Sequence, residues 1–277
     1  MGRLAPILPV LAAGLALAGC QARSHDLAHW REALAPHITV MMPENAEGPV
    51  PAVLMFSGCG GVISVQSEYG AAANANGIAA VIVDSHGARG IGSIGARLFT
   101  CTALRMRGDE RARDVIAALA HVRTLDGIDP DRLALTGWSH GGWTLLDTLS
   151  LVQDDTPPRG LDALPENALG GVRAVIPIYP YCGFIIRARG HDIGNRIPVD
   201  ALLAEDDVIA DPRACERLFE RQNEAGARID WTLFEGQTHA FDAPDQPYDP
   251  RVRYDAEATE RAHEWWIERL SVRLGAQ

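Results

Sequence analysis

Short unbroken apolar runs alternate along the chain with longer stretches whose apolar residues recur at helical spacing. The runs occupy 52–56, 78–83, 133–137, 174–178, 199–204 and 229–234. A strand with one wet face alternates apolar and polar residues, whereas an unbroken run suits a strand covered on both faces. Between the runs, 109–123 puts Val115, Leu119 and Val122 on one face with Ile116 beside them. Near the end of the chain Ala258, Ala262, Trp266, Leu270 and Leu274 recur every four residues. This alternation predicts an α/β fold with a mostly parallel central sheet and helices on both faces. Residues 154–171, rich in Pro, Gly and acid, read as a loop or lid.

Composition narrows the function. With 277 residues, 47% hydrophobic and 22% charged, the chain can bury a core large enough to offset the entropy of ordering it. A net charge of −11 argues against a free nucleic-acid binder, which needs a basic excess. All 25 basic residues are Arg. The absence of Lys removes Schiff-base chemistry, pyridoxal phosphate attachment and the P-loop lysine.

The first residues add a compartment. Arg3 precedes an apolar stretch of residues 4–18 that is shorter than the ~20 residues a spanning helix needs, and small residues follow, as in a secretory signal. Leu17-Ala18-Gly19-Cys20 resembles the lipobox of bacterial lipoproteins. That resemblance implies a signal peptide over 1–19 and acylation of Cys20; the polar stretch Arg23 to Glu32 reads as part of a tether over 20–35, leading into a single domain over 36–277. Gln21 after the cysteine implies retention at the periplasmic face of the outer membrane. The other cysteines, Cys59, Cys101, Cys182 and Cys215, are even in number, which suits disulfides in an oxidising compartment and leaves three pairings open. There is no Cys-x-x-Cys pair, and His263-Glu264 lacks the second histidine of a zinc-protease helix, so no metal site is expected.

The chemistry centres on Gly137-Trp138-Ser139-His140-Gly141, set between an apolar run and a helical pattern. Gly-x-Ser-x-Gly on a strand-to-helix turn is a nucleophile elbow, and the adjoining helix N-terminus suits a developing oxyanion. His239, just after the last apolar run, is the expected base. Asp206, after the fifth run, is the expected acid, with Asp207 the close alternative. The expected oxyanion donors are the N–H groups of Cys59, in the glycine-rich Ser57-Gly58-Cys59-Gly60-Gly61 segment, and of His140. Tyr181 and Phe184 are candidates for an acyl pocket, and Trp138 and Trp143 for core. His86 is expected in a strand-end turn, and Arg89, Arg97, Arg105 and Arg107 on a solvated face.

Together with Tyr179-Pro180-Tyr181-Cys182-Gly183, Asp206-Asp207-Val208-Ile209 and Gly236-Gln237-Thr238-His239-Ala240-Phe241, these pieces resemble the α/β-hydrolase superfamily, most of all its dienelactone hydrolase group. They run in family order over about residues 50 to 270. The resemblance implies one α/β-hydrolase domain without cofactor, cleaving a small ester or lactone through an acyl-enzyme. It implies a Cys182–Cys215 disulfide, because these residues flank neighbouring strand ends, and a Cys59–Cys101 bridge compatible with the backbone role of Cys59. Three departures qualify it. Ser139 stands where dienelactone hydrolases carry cysteine, which points to a serine esterase. Ser57-Gly58 replaces the usual His-Gly. The glycine usual ahead of the acid is missing near Leu203-Ala204. A peptidase, an acyltransferase or a non-catalytic binding lipoprotein are the alternatives on the same fold.

Overall fold

The computed structural model describes residues 24–44, 46–92, 95–96 and 100–276. The expected signal peptide and Cys20 lie outside the described residues. Among these residues the elements are α1 (Leu27–Leu34), β1 (Ile38–Met41), β2 (Val50–Phe56), α2 (Ser64–Ala75), β3 (Ala79–Val83), α3 (Gly108–Val122), β4 (Ile128–Trp138), α4 (His140–Gln153), β5 (Val172–Ile178), β6 (Val199–Ala204), α5 (Pro212–Glu224), β7 (Ile229–Phe234) and α6 (Ala256–Leu274). The strands form one sheet in the order β1-β3-β2-β4-β5-β6-β7. All pairs are parallel except β1 with β3.

The unbroken runs have the expected cause. In β2, Ala52, Leu54 and Phe56 face a core built with α3, α4 and α5, while Val53 and Met55 face a second core built with α2 and α6. Every residue of 52–56 is therefore buried. The four-residue repeat of α6 is the stripe that closes the second core, with Ala258, Ala262, Trp266, Leu270 and Leu274 all buried. Trp266 also donates from Nε1 to Thr136 Oγ1 at 2.9 Å, joining helix to central strand. The buried charge inside an apolar run, Asp200 in β6, accepts both arms of Arg273 from α6 at 2.9 and 2.8 Å. A buried carboxylate needs such a partner.

Two expectations are corrected. Residues 27–34 are not part of an unstructured tether but a helix, capped by Asp26, which accepts from the His29 N–H at 2.9 Å. Trp30 holds this helix in place: its Nε1 donates to the Gly160 carbonyl at 2.7 Å, and the Arg113 guanidinium stacks 3.9 Å from its ring. Residues 154–171 are accordingly no lid. They follow α4, which starts at the carboxyl ends of the parallel strands and runs back to their amino ends, and there they pack beneath α1. The edge strand β1 was absent from the six runs because four half-exposed residues carry too little pattern.

Trp266→Ala removes a fully buried indole from between helix and sheet and is expected to cost about 3–5 kcal/mol of stability, read as a lower midpoint in urea unfolding. A loss under about 1 kcal/mol would show that α6 is not needed to close its core.

Candidate active site

Six parallel strands, β2 to β7, end on the same side, and the loops that leave them there carry the groups singled out by sequence. Ser139 stands at the exit of β4 with φ 51° and ψ −110°, a conformation that costs a non-glycine residue about 1–3 kcal/mol. It is held there from two sides. The Ser139 N–H donates to the Ile178 carbonyl at 2.9 Å, and the Ser139 carbonyl accepts from Trp143 N–H at 3.0 Å, starting α4. Both motif glycines are sterically required. A Cβ on Gly137 would meet the Gly141 backbone at 2.5 Å, and one on Gly141 would collide with the Phe56 carbonyl.

His239, in the loop after β7, reaches back over the elbow. Its Nε2 lies 2.9 Å from Ser139 Oγ and its Nδ1 2.5 Å from Asp207 Oδ2. The carboxylate on the imidazole is thus that of Asp207, and the expectation of Asp206 is corrected. The reason is the turn after β6. The Asp207 N–H returns to the Ala204 carbonyl, and Asp207 Oδ1 caps the next segment by accepting from Ile209 and Ala210 N–H at 2.8 and 2.7 Å. This leaves Oδ2 facing the ring in a buried position. Asp206 points to solvent and contributes its backbone N–H to the Gln237 carbonyl at 2.8 Å.

The segment Ser57–Gly61 lies against the elbow; a Cβ on Gly58 would stand 3.7 Å from Ser139 Cβ. Among the described residues no backbone carbonyl accepts the Cys59 N–H, and the His140 N–H, first in α4, has no acceptor within its helix. Cys59 is bonded to Cys101, and Cys182 to Cys215. The first bridge joins the walls of the site, since both its residues line the cavity there. That cavity holds about 790 Å³ and reaches Ser139, His239, Trp143, Tyr181 and Phe184. Trp138 and Trp143 are buried as expected, yet both also contribute to the lining.

Three buried groups around the site were not singled out by sequence. Asp242 is fully buried three residues after His239. It accepts from Tyr179 Oη at 2.6 Å, Tyr69 Oη at 2.9 Å and Trp138 Nε1 at 3.3 Å, pinning the histidine loop to the sheet. Burial raises its pKa and those of both tyrosines. Asp147, on α4, accepts from Trp143 Nε1 at 2.6 Å and from the Arg187 N–H at 2.8 Å, supporting the Tyr181–Ile185 wall from behind. Arg111, on α3, is fully buried under the Ser57–Gly61 segment. His86 is likewise behind that segment rather than in the cavity, with Nε2 3.0 Å from the Cys59 carbonyl. Burial, with the Arg111 charge adding to it, lowers its pKa to about 4, so the ring is neutral. Arg89 is not on a solvated face: it forms a two-armed pair with buried Asp114 at 2.7 and 2.9 Å. Arg97 lies outside the described residues.

Asp147 yields a pH prediction. Burial raises its carboxyl pKa to about 7, well above the ~4 of an unfolded aspartate. A raised pKa means that the group's stabilising contribution is complete below pH ~4 and is lost as pH rises through about 7. The melting temperature of Asp147→Asn should therefore improve relative to the unmutated protein between about pH 4 and pH 8. A constant difference across that window would contradict the assignment.

Comparison with known proteins bears on the fold. A prolyl oligopeptidase family model matches residues 66–155, and a dienelactone hydrolase family model matches residues 163–272. A protein of Metarhizium robertsii described as "Probable dipeptidyl-aminopeptidase B" is 39% identical over 77 residues, which is 28% of this chain and 8% of that protein. Among solved structures, a dienelactone hydrolase-like promiscuous phosphotriesterase from metagenomic libraries superposes with a TM-score of 0.63 at 18% identity, covering 86% of this chain and 99% of that one. Esterase 2 of the planctomycete Thermogutta terrifontis, phosphorylated by paraoxon, gives 0.62 at 16% identity, covering 84% and 87%. A Butyrivibrio proteoclasticus protein with bound ferulic acid gives 0.55 at 14% identity, covering 84% and 95%. The seven-stranded sheet, its strand order and these structural relatives establish that the chain has the α/β-hydrolase fold.

Proposed function

We propose that the protein is a serine hydrolase that cleaves carboxylic esters or lactones through an acyl-enzyme. The observation that carries this reading is the continuous chain from Ser139 Oγ to His239 Nε2 and from His239 Nδ1 to Asp207 Oδ2, at 2.9 and 2.5 Å. In this reading His239 takes the hydroxyl proton as Ser139 Oγ attacks the carbonyl carbon. Asp207 holds the imidazole tautomer and stabilises the imidazolium that forms. The tetrahedral oxyanion rests on the N–H groups of Cys59 and His140. Collapse expels the alcohol, protonated by His239, and water activated by the same ring releases the acid. The family matches to dienelactone hydrolases and the esterases among the structural relatives support an ester substrate.

The cavity walls suggest the kind of ester. Trp143, Tyr181 and Ile185 are apolar, and at the mouth Phe184 and Tyr248 are 82% and 92% exposed. Large apolar side chains left in water beside a cavity favour a substrate whose apolar part extends out over them. A peptidase is the second reading, favoured by the prolyl oligopeptidase match over residues 66–155; turnover of peptide amides would distinguish it. We also infer an exported, lipid-anchored chain acylated on Cys20. Two disulfides accord with that, since such bonds persist in oxidising compartments.

Steady-state hydrolysis of an aryl acetate tests the reading. Asp207→Asn should lower kcat by about 10⁴-fold, while Asp206→Asn should stay within about threefold, the result for a solvated carboxylate outside the machinery. The reverse order of effects would return the acid to Asp206, and absence of turnover by the unmutated protein on esters of every acyl length would sink the esterase reading.

A further inference from the structure

Arg111 is a fully buried cation whose hydrogen bonds all go to neutral groups. Its Nη1 donates to the Ser57 carbonyl at 2.7 Å and lies 3.3 Å from His140 Nδ1. Its Nε donates to Ser85 Oγ at 3.0 Å and its Nη2 to Ser57 Oγ at 3.3 Å. Among the described residues no carboxylate pairs with it. The nearby Asp114 is engaged by Arg89 and Arg113, and Asp84 accepts the N–H groups of His86 and Gly87 at 3.1 and 2.8 Å. Burial lowers the Arg111 pKa to about 10, which leaves it charged at neutral pH. Burial and the Arg111 charge hold His140 well below its ordinary pKa, so its ring is a neutral acceptor.

Such an arrangement is costly for a fold. Asp114 and Asp84 attract the charge through space, but a buried guanidinium without a directly bonded carboxylate is still stabilised less than an apolar side chain of similar volume would be in the same space. Its position gives the charge a use. The two segments it touches, the one starting at Ser57 and the one starting at His140, are those that supply the expected oxyanion donors. His86 completes the clamp by holding the Cys59 carbonyl at 3.0 Å, so the peptide bearing the Cys59 N–H lies between two fixed points.

We propose that Arg111 is a positioning residue of the oxyanion site: it fixes the Ser57–Gly61 segment against the elbow and sets a positive charge behind the pair of N–H donors. The proposal rests on the serine-hydrolase reading above. A charge fixed in a low-dielectric site acts on the transition state more than on the neutral ester, since only the former carries the oxyanion. Arg111 should therefore govern kcat and leave KM nearly unchanged.

The test compares Arg111→Lys, which keeps the charge, with Arg111→Gln, which keeps a donor for the Ser57 carbonyl but is neutral. Rates on an aryl acetate are expressed per site titrated by a fluorophosphonate, so unfolded protein does not enter them. Inhibition by a phenylboronic acid, which forms an anionic tetrahedral adduct on an activated serine, is measured alongside. The glutamine variant should lose about 10- to 100-fold in kcat with KM within about threefold. Its boronate affinity should fall by a similar factor, and the lysine variant should recover most of both. A glutamine variant as active as the lysine variant would overturn the proposal, and so would a loss confined to KM. If the glutamine variant does not fold, Arg111→Met, neutral and of similar length, takes its place: a kcat about 10- to 100-fold lower than that of the lysine variant supports the charge, and equal kcat overturns it. Failure of the unmutated protein to titrate would instead refute the serine-hydrolase reading beneath it.

Discussion

The site depends on the close approach of Gly141, at the start of α4, to the carbonyl of Phe56, at the end of β2, where an added Cβ would collide. No side chain fits there. The helix is thereby seated directly on the central strands, and the chain between β4 and α4 has one residue in which to reverse. Ser139 is that residue, and its strained φ of 51° is the consequence. With the hydroxyl raised above the sheet, the exits of β2, β5, β6 and β7 stand around it. Each contributes what its place allows: a glycine-rich segment from β2, an aromatic wall from β5, a carboxylate from β6 and an imidazole from β7.

Rigidity around that reversal comes from buried polar groups. Asp242 gathers two tyrosines and a tryptophan beneath the histidine loop. Asp147 ties the aromatic wall to α4. Arg111 joins the glycine-rich segment to the helix start. None is an economical choice for stability, because each burial of a charged or titratable group carries a desolvation cost. All three lie one layer behind the cavity, where they fix the loops that line it. The Cys59–Cys101 bridge adds a covalent tie on the cavity side.

The parts of this arrangement that depend on short-range pattern were legible in the sequence. The strands at 199–204 and 229–234 coincide with β6 and β7, the stripe from Ala258 to Leu274 is the buried face of α6, and the Gly-x-Ser-x-Gly turn lies between strand and helix. What stayed hidden depends on long-range partners. The helix α2 starts at Ser64 behind Ile63, which offers no side-chain cap of the usual kind, and its many small residues leave it little apolar periodicity. The N-terminal helix α1 looked like a polar tether because Trp30, its main anchor, docks on Gly160, 130 residues away. Adjacent Asp206 and Asp207 could not be separated, since the choice is made by a turn in which Asp207 Oδ1 accepts two N–H groups. Asp211-Pro212, an acid cap followed by proline, marks the start of α5 in the sequence itself.

The account stands or falls on whether Ser139 is an activated nucleophile. Intact-mass and peptide mass spectrometry after exposure to a fluorophosphonate measures this directly. One adduct per chain is expected, located on Ser139, and none in His239→Ala under the same conditions. Folded protein that stays unmodified, or modification at another residue, would contradict it.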